Sequence, residues 1–200
     1  MPITITGKSS VAALQLGGLG KAIPRWKTGS KNTVNFAVFE NRYPKQELAF
    51  LAANKLKEAA DEWNYLELGV QFEWVYKIVD AAFVLSYAES NIPGVIAEAF
   101  FPNDLDLNIL NYLKNVFLHE LGHILGLRHE FAPEVEDGNK TGMKSLQFGP
   151  RNPTSVMAYE FPPTIQTSDI DSAQAFYHSS GKGLTQDNKL IPIVDYEANN

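Results

Sequence analysis

"HELGHILGLRHE", residues 119–130, holds three of the four histidines in a chain of 200 residues. It closes an apolar run, "ILNYLKNVFLHELGHIL" (109–125), in which Val116, Phe117, Leu121, Ile124 and Leu125 read as the buried side of a helix. Positions four apart on a helix lie one above the other, so His119 and His123 direct two imidazoles at one point. Glu120 projects from an adjacent part of the surface, where it reaches a water on a metal without ligating the metal. A third ligand on the same straight helix would sit too far along. Gly126 removes that obstacle, because glycine takes the left-handed conformation that ends helices and lets His129 swing back. Three neutral imidazoles with an open fourth position describe a catalytic zinc centre more than a structural one.

The bland alternative is a buried helix that happens to carry histidines. The pattern H-E-x-x-H-x-x-G-x-x-H arises by chance in a chain of this size on the order of 10⁻⁵ of the time from composition, which disfavours it. A second stretch, "SVMAYEF" (155–161), places Met157 28 residues after His129. Together the two resemble the metzincin zinc peptidases, in which the histidine motif is followed by a Met-turn. Glu130 directly after the third histidine, and Tyr159 two residues after the methionine, resemble the astacin family. The tyrosine spacing is shared with serralysins, and the "HELGH" and "LGL" style of helix with "AEAFFP" (97–102) is similar to matrixins. The chain departs from the astacins in having no cysteine and in "FAPEVED" (131–137), which lacks their Arg- and Asp-rich continuation.

The resemblance implies an α+β, metzincin-like (zincin) fold. Its N-terminal lobe would hold a mixed, mostly parallel twisted sheet with two long helices, and its irregular C-terminal lobe would end in a helix. It implies a zinc-dependent endopeptidase with one Zn2+ on His119, His123 and His129. Zinc in such a set brings a water to a pKa of about 7. Glu120 is expected to take that water's proton during attack on the peptide carbonyl and to deliver it to the leaving amine. By resemblance, Tyr159 is a further zinc ligand that swings off to hydrogen-bond the oxyanion. Met157 is expected as an apolar floor beneath the histidines. Glu130 is expected to contact a strand or the N-terminal region, behind the ligands and not on the metal. Asp171 and Tyr177 resemble a recurring metzincin pattern of structural packing. The rival reading is a non-catalytic zinc-containing binding module on the same scaffold, and the presence of Glu120, the base, speaks against it.

Around this centre the sequence reads as one catalytic domain, 31–200. Its expected lobes are 31–127 and 128–200, with the active-site cleft between them, after an irregular lead-in over 1–30 anchored by Trp26. "TVNFAVF" (33–39) alternates Val34, Phe36 and Val38 as a half-buried strand. "PKQELAFLAANKLKEAADEWNYL" (44–66) repeats Leu48, Ala52, Leu56, Ala59 and Trp63 at helical spacing, with Pro44 at its start. Three strands are expected from "VQFEWVY" (70–76), "AAFVLSY" (81–87) and "VIAEAFF" (95–101), and the last would take a peptide substrate as an added strand. The second helix opens near "NDLDLN" (103–108), and a final helix covers "TSDIDSAQAFYHS" (167–179). Asp137-Gly138 marks a turn. Asp104, Asp106 and Asn108 imitate a calcium loop, but Ile109 and Asn115 stand where its glycine and glutamate belong. His178 reads as a solvated residue complementing a helix dipole.

Composition excludes other classes. The chain is 44% hydrophobic and 20% charged, ordinary for a globular domain, and its net charge of −6 offers no basic footprint for nucleic acid. No apolar run reaches the roughly 18 residues of a membrane span. With no cysteine, disulfides and thiolate ligands are absent. The first twenty residues lack a basic start, so no signal peptide is expected there. Compartment stays open, tilted toward export by the resemblance. The expected partner is a peptide or protein substrate, and the expected state a monomer. No Lys or Arg lies between Met157 and Lys182, which leans specificity toward apolar or aromatic side chains after the scissile bond, with Arg151 as the residue able to reverse that.

Overall fold

The computed structural model describes residues 3–7, 22–29, 32–87, 110–132, 145–180, 183–186 and 189–198. Within them the chain is a mixed α+β structure of three helices and two small sheets. The expected strand over 95–101, the opening of the second helix at 103–108 and the Asp137-Gly138 turn lie outside the described residues.

The first sheet has the order β1-β5-β3-β4, with β1 (Ile3–Gly7), β3 (Thr33–Val38), β4 (Gln71–Trp74) and β5 (Phe83–Tyr87). β3 runs parallel to both β4 and β5, while β1 is antiparallel to β5, so the sheet is mixed and mostly parallel. Val34 and Phe36 are buried in the main core as the alternation predicts, and Val38 is half-buried. Ala37 is buried as well, in a small cluster with Ala81 and Val84. β5 is buried over Phe83–Ser86, the pattern of a strand covered on both faces.

A parallel neighbour requires a crossover, and helix α1 (Gln46–Asn64) supplies it between β3 and β4. Its buried face is Ala49, Ala52, Ala53, Leu56, Ala59, Ala60 and Trp63. The small alanines let a second helix, α2 (Leu113–Ile124), pack directly against it. At its end the Trp63 indole donates to the Leu118 carbonyl of α2 at 2.9 Å. α1 begins two residues after Pro44, with Lys45 at its N-cap.

Two expectations are corrected. The lead-in is not irregular throughout: its described residues contribute β1 and also β2 (Ile23–Trp26). Nor does the C-terminal part end in its helix, α3 (Thr167–His178), because β6 (Gly183–Gln186) and β7 (Lys189–Tyr196) follow it as an antiparallel pair. β7 also pairs in parallel with β2, giving a second sheet of order β2-β7-β6. Residues 189–192 of β7 serve β6 and residues 193–196 serve β2, so Pro192 needs no amide on the β2 side.

Arg25 fixes this second sheet to α3. Its guanidinium is buried, forks onto both Asp195 oxygens at 2.7 and 3.1 Å, and donates to the Phe176 and Ser179 carbonyls at 2.7 and 3.2 Å. Those carbonyls are among the ones a helix end leaves without an internal partner.

Candidate metal centre

α2 carries His119 and His123 one turn apart and ends in a Schellman motif. Leu127 N–H donates to the Gly122 carbonyl at 3.0 Å and Gly126 N–H to the His123 carbonyl at 2.9 Å. Gly126 has φ +89°, the left-handed geometry expected of it, and a Cβ there would crowd the Pro24 carbonyl. The chain reverses at this point and brings His129 to the other two. Ligand nitrogens of His119, His123 and His129 all lie within 4.8 Å of one another, the one such group of His, Cys, Asp or Glu among the described residues.

The outer ring nitrogens are engaged. His119 Nδ1–H donates to the Val156 carbonyl and His123 Nδ1–H to the Leu127 carbonyl, each at 2.8 Å. Both rings therefore turn Nε2 inward as lone-pair donors. His129 Nδ1 meets the Tyr159 hydroxyl at 3.1 Å, and its Nε2 lies 3.2 Å from His123 Nε2. The hydroxyl can donate or accept, so it serves either tautomer of His129. With the proton on Nε2, His129 donates to His123; with the proton on Nδ1, it donates to Tyr159 and frees Nε2 for a cation. Zinc bonded to nitrogens at about 2.0–2.1 Å in tetrahedral geometry sets neighbouring ligands about 3.3 Å apart, close to the 3.2 Å seen. The donor set and its spacing fit a metal ion.

Burial lowers His119 to about 4, against a smaller opposing effect of the Val156 hydrogen bond. The ring is accordingly neutral at neutral pH, the form that ligates metals. Burial pushes the neighbouring Glu120 carboxyl up to about 8. A cation close by acts in the opposite direction and favours the carboxylate.

Met157 is buried against the histidine helix at Gly122. A Cβ added at Gly122 would overlap its sulfur and come within 3.5 Å of the Trp63 ring. Among the described residues, the contacts of Glu130 are with the segment before and at Met157. Its amide donates to the Met157 carbonyl at 3.0 Å and its carboxylate accepts the Asn152 amide at 2.6 Å, so it clips the segment that leads into the Met-turn. Asp171 is exposed. Asp169, two residues earlier, makes structural contacts: it accepts the Ser155 hydroxyl at 2.6 Å and the Val156 and Gln166 amides at 2.8 Å each. Tyr177 is fully buried, its hydroxyl donating to the Leu125 carbonyl at 2.8 Å. Trp26 anchors the lead-in as expected, its indole donating to the Ile124 carbonyl at 2.7 Å. His178 is exposed, with Nε2 2.9 Å from the Glu67 carbonyl.

Sequence reasoning missed Gly122, Ser155, Asp169 and Arg25. Two carried a readable signal: a mid-helix glycine costs about 1 kcal/mol and calls for a packing reason, and Asp169 stands at the third position of α3, where an acid closes a capping box.

Beside the centre lies an aromatic rim. Tyr159 packs on His129 at 4.8 Å between ring centroids, Phe131 stacks on Tyr159 at 6.0 Å, and the Arg151 guanidinium sits 4.5 Å over Phe131. No family model, no curated protein and no solved structure matches the chain. No described helix is long and apolar enough to cross a membrane.

Proposed function

We propose that the chain is a zinc-dependent endopeptidase of metzincin type, with astacin-like features at Glu130 and Tyr159. The observation that carries this reading is the convergence of three imidazoles with no fourth His, Cys, Asp or Glu in the group among the described residues. Structural zinc sites are closed by four protein ligands, whereas three leave a position for substrate chemistry. Zinc held there supplies Lewis acidity toward a water and a peptide carbonyl. Glu120, on the same helical turn as His119, is the residue that takes the proton from the attacking water and returns it to the departing amine. Tyr159 is 61% exposed, and its phenol is the donor that would turn to a developing oxyanion. Phe131 and Tyr159 offer an aromatic wall beside the centre, which favours substrates with an apolar or aromatic side chain near the scissile bond.

The test combines metal analysis with digestion of a peptide library, read by mass spectrometry with and without a chelator. Wild type should bind one zinc per chain and cut peptides only when loaded. Glu120→Ala should keep the zinc and lose the cutting. A loaded wild type that cuts nothing, or a Glu120→Ala variant of full activity, overturns the proposal.

A further inference from the structure

The three outer nitrogens end on different groups. His123 leans on a carbonyl at its own helix end and His129 on a phenol. Behind His119 the hydrogen bonds continue. Its Nδ1–H donates to the carbonyl of Val156. The same peptide unit bears the amide of Met157, which donates to Ser155 Oγ at 3.1 Å. That hydroxyl donates to Asp169 Oδ1 at 2.6 Å. Every step points the same way, from imidazole through peptide and hydroxyl to a carboxylate. Asp169 is itself held by the Val156 and Gln166 amides on Oδ2, so its acceptor oxygen is fixed.

From this geometry we infer that Ser155 and Asp169 are positioning residues of the metal centre, joined to His119 by a relay through the 156–157 peptide. Hydrogen bonds aligned head to tail polarise one another, and a carboxylate behind a ligating histidine fixes its tautomer and raises its donor strength. Here the carboxylate acts through two intervening groups. His119 is thereby held in one tautomer as a strengthened donor. The inference rests on the reading of the three histidines as a metal centre, and concerns how that centre is tuned.

Ser155→Ala removes the hydroxyl link and leaves the Val156 carbonyl in place. Ser168→Ala is the matched control, because it deletes a bond of the same kind in the same region, Asn152 Nδ2 to Ser168 Oγ at 2.8 Å, without touching the relay. Zinc and cobalt dissociation constants should rise about 10-fold in Ser155→Ala, with a displaced cobalt ligand-field spectrum, and stay at the wild-type value in Ser168→Ala. Urea unfolding of both metal-free variants fixes the conditions in which each is fully folded, and the constants are compared there, which separates tuning from plain loss of stability. Wild-type affinity and spectrum in a folded Ser155→Ala, or an equal loss in Ser168→Ala, overturns the relay. If Ser155→Ala does not fold, Asp169→Asn reads the same quantities: weaker binding supports the relay and unchanged binding overturns it. A wild type that binds no more metal than His119→Ala would instead remove the centre itself.

Discussion

Gly122 lies between the first two histidines, and its lack of a side chain is what seats Met157. A Cβ at this position would stand more than about 1 Å inside the normal contact distance of roughly 3.5–4.0 Å from the methionine sulfur. Met157 is 4% exposed, so its sulfur can withdraw only into a filled core, and the new methyl group would also touch the Trp63 ring at 3.5 Å. Overpacking of a filled core costs about 1–3 kcal/mol. Alanine recovers about 0.8–1.0 kcal/mol over glycine in a helix interior. Gly122→Ala should therefore destabilise the metal-free chain by about 0–2 kcal/mol, where an exposed site would gain close to 1.

The sign of a single small number is weak evidence, so the decisive quantity is a coupling energy. Met157→Ala alone should cost about 2–5 kcal/mol through the cavity it leaves. In the double variant the new methyl group at 122 enters that cavity, so the two changes should cost less together than their sum, by about 1 kcal/mol or more. Urea unfolding of the four proteins in chelator measures it, and residues in contact reach 0.5–3 kcal/mol in such cycles. Additive costs within about 0.3 kcal/mol, or a clear gain from Gly122→Ala alone, would refute the seating of Met157 on Gly122.

Three further outcomes follow from the same contacts. Tyr177→Phe leaves the buried Leu125 carbonyl without its hydroxyl partner and should lower stability by about 1–3 kcal/mol in urea unfolding; a neutral result would mean that water replaces the phenol. Chelator should lower the thermal midpoint and zinc restore it, since a ligand at 1,000 times its dissociation constant adds about 4 kcal/mol to the folded state, and His129→Ala should abolish this zinc-dependent shift in calorimetry. Tyr159→Phe should lower peptide turnover while metal content stays near one per chain, because the exposed His129 Nδ1–H side is open to water; equal loss of metal and turnover would make the hydroxyl a prop for His129.

The histidine centre was legible because its geometry is local. His119, His123, Gly126 and His129 lie within eleven residues, and helical period plus one left-handed glycine dictate where the rings meet. α1 and the core of β3 were legible for the same reason, a period of 3.6 or 2 in apolar side chains. The second sheet was not. β2 is four residues long and contains Pro24, β7 is interrupted by Pro192, and their partners are about 170 residues apart, so no local pattern announces the pairing. The resemblance points to Asp171, whereas the capping position of Asp169, a local signal, marks the residue that binds the Val156 amide.

The distant elements and the local motif meet at the end of α2. The last carbonyls of a helix lack internal partners, and here Ile124 and Leu125 receive theirs from Trp26 of β2 and Tyr177 of α3. Each donor is itself held by Arg25 and its neighbours, which tie β2 and β7 to the end of α3. The turn that carries His129 is therefore clamped by β2 and α3. A third ligand on a free loop would have to be ordered upon binding, at about 1–2 kcal/mol per backbone residue fixed. In this fold that ordering is part of folding, so strand pairings far from the histidines would act directly on how tightly the three rings could hold a metal.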